Sequence, residues 1–149
     1  MKRWITVLFL CCVIVITLCF SKILSEQNRQ SLYIITHKGK ATYQIEVADT
    51  PARQQRGLMY RKSIPTNQGM LFDFHQEKIV FMWMKNTYIP LDMLFADKKG
   101  IIRHIHEGVR PLDETIIPSQ IPIRYVIELN AGQVKEKGIQ IGNKIRGLK

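Results

Sequence analysis

The sequence predicts a mainly β fold: a compact barrel- or sandwich-like single domain with one or two short helices, preceded by an N-terminal hydrophobic signal or anchor helix. Three observations carry this expectation. After about residue 30 the chain breaks into short apolar stretches separated by Gly, Pro, Asn and Asp, the punctuation of strands and turns. Some stretches alternate strictly and others are bulky on both faces, as half-buried and fully covered strands do. Ahead of them, Lys2 and Arg3 precede 17 uncharged residues at 4–20. That run is near the lower limit for a membrane-crossing helix and long for a signal-peptide core.

Residues 1–25 read as the signal peptide or membrane anchor, 26–40 as linker and first strand, and 41–149 as the β domain. The small-residue pairs Cys19/Ser21 and Ile23/Ser25 are poor cleavage sites, and leucine before Cys19 or Cys11 does not suit acylation, so release and retention both stay open. Residues 32–36 form a first strand, followed by the turn His37-Lys38-Gly39-Lys40. Residues 41–48 alternate, with Tyr43, Ile45 and Val47 to one side. Thr50 caps a helix and Pro51 opens it, with an expected end near Tyr60 and with Ala52, Leu58 and Met59 inward. Residues 70–75 and 79–85 read as strands around Gln76-Glu77-Lys78. Residues 92–96 and 101–106 form a hairpin across Asp97-Lys98-Lys99-Gly100. The stretch 108–122 holds three prolines and reads as an irregular loop. A strand at 123–129 follows, then a helix capped by Asn130, running to Lys137 and ended by Gly138, and a last strand at 139–146.

The formal charge is +10, of which Lys2, Arg3 and Lys22 lie before the domain. A basic domain first suggests nucleic acid. An export segment argues against that partner and favours anionic headgroups, acidic glycans or small anions. Cys11, Cys12 and Cys19 all lie in the apolar run, so the domain has neither disulfides nor cysteine chemistry and rests on its core alone. Phosphate-binding loops and dinucleotide fingerprints are absent, and Ser63, Thr66 and Ser119 lack a nucleophile elbow. No cofactor is expected. His104 and His106 project from one strand face, but with only Glu107 or His75 as further candidates they are a weak ligand set, and no metal is expected.

The stretch FMWMKNTYIPLDMLF (81–95) concentrates bulky apolar mass around Lys85, Asn86 and Asp92. Read as a hairpin closed by residues 86–91, it sets Lys85 opposite Asp92, Met84 opposite Met93 and Trp83 opposite Leu94. An ion pair at such an apolar mouth need not add net stability, so a ligand-binding role stands beside a purely structural one. Asn86 and Thr87 add hydrogen-bonding groups there. Glu128, in the apolar strand YVIEL, requires a partner that Arg61 or Lys85 would supply. Together with Asp92 it would make a paired-carboxylate site.

GLMYR (57–61), GMLFDF (69–74), FMWMKNTYIPLDMLF (81–95), YVIELNAG (125–132) and GIQIGNKI (138–145), in this order, resemble the DUF192 family, also called UPF0127. The resemblance spans about residues 41–146, with Ile127 and Asn143 where leucine and aspartate are more usual. It implies a compact β domain with short helices, often exported in bacteria, and no known reaction. The expected function is a non-catalytic exported or membrane-anchored envelope module binding a small polar or anionic ligand or a protein partner. Its expected ligand-binding residues are Arg61, Lys85, Asn86, Thr87, Asp92 and Glu128. The alternatives are a hydrolase- or lyase-type enzyme using Asp92 or Glu128 as acid/base, or a purely structural assembly factor. The expected location is periplasmic or otherwise extracytoplasmic, with membrane contact through residues 4–20 where these are retained.

Overall fold

The structure is a computed structural model that describes residues 29–148. The signal or anchor segment expected at 1–25 lies outside the described residues, as do linker residues 26–28. Among the described residues no helix is long and apolar enough to cross a membrane. In chain order the elements are β1 (Arg29–Thr36), β2 (Gly39–Ala48), α1 (Pro51–Arg56), β3 (Gln68–Lys78), β4 (Phe81–Met82), β5 (Leu91–Ala96), β6 (Ile102–Val109), β7 (Ile117–Pro118), β8 (Ile123–Asn130), α2 (Gln133–Lys137) and β9 (Ile145–Arg146).

Seven strands make one sheet in the order β6-β5-β8-β3-β2-β1-β9, and β4 pairs with β7 in a second, two-stranded sheet. Neighbours in the large sheet are antiparallel except β2 and β3, which run parallel. A parallel pair needs a crossover to carry the chain back. Here α1 and residues 57–67 supply it, and that crossover builds the concave surface described below. The sheet curls into a half-barrel whose ends are latched together. Ile101 bridges Lys144, Ile102 N–H donates to Asn143 O (3.0 Å), and Ile145 N–H donates to Gly100 O (2.8 Å). Gly100 has φ 74°, and a Cβ there would lie 2.9 Å from Ile145 O, so the latch requires glycine.

Both faces of the sheet are covered. On one, Leu32, Ile34, Tyr43, Ile45, Leu71, Leu94, Ile127 and Ile145 pack with Val134 of α2. On the other, Met70, Phe72, Met93, Phe95 and Val126 pack under Leu58, Met82, Met84, Ile89 and Ile117. β5 is buried at every position, as its unbroken apolar pattern requires.

Several expectations are corrected. The strand expected at 70–75 is the longer, 11-residue β3, which runs through the expected turn to Lys78 with a register shift between Asp73 and Lys78. His75 takes up that bulge at φ 63°. Only Phe81–Met82 remains of the strand expected at 79–85. There is therefore no hairpin setting Lys85 against Asp92. β5 pairs instead with β6 and β8, and Met93 stands opposite His106 and Glu128. Helix α1 stops at Arg56 because Gly57 turns away at φ 48°, and it buries none of its residues. Asn130 does not cap α2. Gly132 stands at that position, and the Asn130 amide donates to Ile64 O (3.2 Å) and Pro65 O (3.3 Å). The final strand shrinks to β9, and the proline-rich loop contains the short β7.

Candidate functional site

The crossover from β2 to β3 is held by two ties. Thr50 begins α1, its Oγ1 accepting from Arg53 N–H at 3.4 Å, and Pro51 needs no N–H partner in the first turn. After Gly57, Leu58 is buried and the chain turns to bring Arg61 back against β2. Arg61 donates twice to Glu46, Nη1 to Oε1 and Nη2 to Oε2, both at 2.7 Å. Those hydrogen bonds hold the Glu46 carboxyl below its ordinary range, against the opposing effect of burial. The second tie is reciprocal. Tyr60 N–H donates to Asn86 O (2.8 Å), and Asn86 Nδ2 donates to the Tyr60 hydroxyl (2.9 Å). Both residues are left-handed, at φ 64° and 53°, a backbone conformation sustained when surrounding contacts impose it.

Around this crossover lie three adjoining concavities. One, of about 290 Å³, is walled by Glu46, Arg53, Arg56, Tyr60 and Arg61. Another, of about 340 Å³, is walled by Gln55, Arg56, Tyr60, Trp83, Lys85 and Asn86. The third is a pit of about 50 Å³ among Gly57, Phe72, Met82, Trp83, Thr87 and Glu128. Arg56 and Met59 line all three. Among the described residues neither Arg56 nor Lys85 forms an ion pair; the Lys85 Nζ stands 5.6 Å from the centre of the Trp83 ring. Trp83 is 42% exposed and Tyr60 59%, so an aromatic wall borders the two cations.

Glu128 is 4% exposed, and its Oε2 has no hydrogen-bond partner. Burial pushes its carboxyl up to about 8, opposed by the positive charge of Arg61. Its register partners are Met70 and Met93, so it shares their face of the sheet. Asp92 pairs with Leu129, one residue along, and therefore points to the opposite face. The two do not form a carboxylate pair. Asp92 is fully buried; its Oδ1 accepts from Gly108 N–H and its Oδ2 from Val134 N–H, both at 2.9 Å. It ties β6 and α2 to β5.

Of the six expected site residues, Arg61, Lys85, Asn86, Thr87 and Glu128 border the same group of concavities, and Asp92 stands apart. Their roles differ. Arg61 and Asn86 hold the crossover in place. Thr87 is buried and donates its hydroxyl to Lys85 O (3.2 Å) within its own turn. Lys85 and Glu128 retain free valence. Sequence reasoning did not single out Arg56, Tyr60 or Trp83 as site residues. The Thr50-Pro51 start and the Gly57 stop together place Arg56 at the end of α1, and that signal was readable. His104 and His106 stack edge-to-face at 4.8 Å beside Phe95, and His75 Nε2 lies 2.8 Å from Asp49 O. Among the described residues no three His, Cys, Asp or Glu side chains stand together as metal ligands.

No curated protein matches the chain. A solved structure from Sinorhizobium meliloti 1021, described as that of a candidate transcription regulator, is similar with a TM-score of 0.78 and 46% identity, covering 80% of this chain and 93% of that one. A protein of unknown function from Novosphingobium aromaticivorans DSM 12444 is similar with a TM-score of 0.77 and 31% identity, covering 79% and 84%. A family model described as uncharacterised, DUF192, matches residues 33–147, and the chain belongs to the DUF192 family.

Proposed function

We propose that the domain is a non-catalytic binding module for a small organic anion, seated where α1 and the turn after it face Trp83, Lys85 and Asn86. One observation carries this reading: the 340 Å³ concavity presents Arg56 and Lys85, neither paired with an acid among the described residues, beside Tyr60 and Trp83, and no carboxylate lines it. Guanidinium and ammonium groups receive a carboxylate or phosphate, and the aromatic wall shelters an apolar body. Arg61, committed to Glu46, keeps the wall in place rather than meeting the ligand. Asp92 and Glu128 lie on opposite faces, which speaks against a paired-carboxylate site and leaves Glu128 as the acid beside the concavities. The apolar run at 4–20 behind Lys2 and Arg3 supports a place outside the cytoplasm, anchored to the membrane or released from it.

Calorimetric titration of the full chain with butyrate, benzoate and inorganic phosphate tests the reading. Saturable binding of at least one probe is expected. Arg56→Ala and Lys85→Ala should each weaken it about five-fold or more, roughly 1 kcal/mol, with the melting temperature unchanged. Silence with all three probes, or equal affinity in both variants, overturns the proposal.

A further inference from the structure

Among the described residues, Glu128 Oε2 is the buried carboxyl oxygen left without a hydrogen bond. Native structures satisfy buried polar atoms with few exceptions, and an exception in a cavity wall points to something that completes it. Glu128 is one of the residues that line the 50 Å³ pit, which has room for a single small polar group. Gly57 borders the pit: a Cβ on it would lie 3.2 Å from the Phe72 ring and 4.0 Å from Glu128 Oε2. A side chain at 57 would therefore narrow the approach to the acid. Gln55, Arg56, Met59 and Trp83 line both this pit and the 340 Å³ concavity. A molecule whose acid group sits over Arg56 and Lys85 thus has a second recess beside it.

We propose that Glu128 selects the ligand: its carboxyl hydrogen-bonds an uncharged hydroxyl or carbonyl oxygen of a small organic acid whose carboxylate is held by Arg56 and Lys85, so the ligand class is hydroxy- and keto-acids. The inference rests on the anion-binding reading and adds the second end of the ligand. Charge argues for an uncharged oxygen group over an ammonium group. Arg56, which forms no ion pair among the described residues, lines both recesses and repels a cation. Burial also keeps a proton on Glu128 near neutral pH, so it donates to an oxygen acceptor. A site with a buried hydrogen-bonding group rejects analogues lacking the matching group, because its own polar atom then stays unpaired.

The test is calorimetric titration of the full chain with butyrate and with 2-, 3- and 4-hydroxybutyrate at pH 6.5, in wild type, Glu128→Leu and Glu128→Gln. At least one hydroxy acid should bind wild type about ten-fold more tightly than butyrate. The ratio should fall to within about two-fold in Glu128→Leu and survive in Glu128→Gln, whose amide still donates. Butyrate binding without preference for any hydroxy isomer, or a preference that survives Glu128→Leu, overturns the inference and leaves the anion reading standing. Failure of every probe to bind wild type overturns both.

Discussion

Two carboxylates compete for Arg61, and geometry decides between them. Glu46 receives both guanidinium hydrogen bonds and is held below its ordinary range, with the hydrogen bonds as the leading cause. Glu128 receives only the distant charge, which does not offset its burial, and rises to about 8. An acid raised from an ordinary value of 4.5 to about 8 makes the folded state hold a proton that the unfolded chain has lost across that window. This contribution to stability is greatest below pH 4.5 and falls as pH rises to about 8, by roughly 1.4 kcal/mol per unit at its steepest. Glu128→Gln removes the titration. The unfolding free energy of the variant minus that of wild type should grow with that slope between pH 4.5 and about 8 and level off above it. Urea unfolding from pH 4 to 9 measures the difference; a difference independent of pH would show that Glu128 is ionised in the folded protein.

At the scale of elements, the short helices depend on neighbours more than on their own sequences. Helix α2 has five residues and a glycine N-cap with no side-chain cap, and a helix that short is not stable alone. Asp92 of β5 accepts the N–H of Val134 in its first turn and with its other oxygen accepts Gly108 N–H of β6. Asp92→Asn replaces one acceptor oxygen with an NH₂ that faces a backbone donor. The lost hydrogen bond and the stranded N–H should together cost about 2–3 kcal/mol. Urea unfolding should show that loss while butyrate affinity stays unchanged; a lost affinity with intact stability would return Asp92 to the binding site. The long-range tie through Asp92 was not readable from spacing. The sequence pattern did show β2, the β5–β6 hairpin and the glycine stop of α2, because alternation, Asp97-to-Gly100 turn chemistry and left-handed Gly138 are local signals. The stretch 81–84 misled. Its bulk on both faces suggested cover on both sides, yet Met82 and Met84 are buried while Phe81 (66%) and Trp83 stay exposed. The residues expected to be core form part of the wall of the concave surface.

At the scale of the whole molecule, the parallel β2–β3 pairing decides where the concave surface forms, and no local pattern encodes which distant strands become neighbours. The motif GLMYR was legible as a motif; its position on a crossover was not. The 17 uncharged residues at 4–20 are near the lower limit for a membrane-crossing run, and Lys2 with Arg3 favour a cytoplasmic start. We propose that this segment takes the domain out of the cytoplasm. The domain carries no thiol after Cys19, so it needs no oxidation to fold once there. Alkaline phosphatase fused after Lys149, which is active only outside the cytoplasm, should be active in a bacterial host. Val13→Arg with Val15→Arg places two charges in the run at about 2.5–3.5 kcal/mol each and should reduce activity to background at equal expression. A silent wild-type fusion would place the domain in the cytoplasm and reopen nucleic acid as a partner for its basic surface, and an active double variant would show that the run at 4–20 is not what carries the domain out.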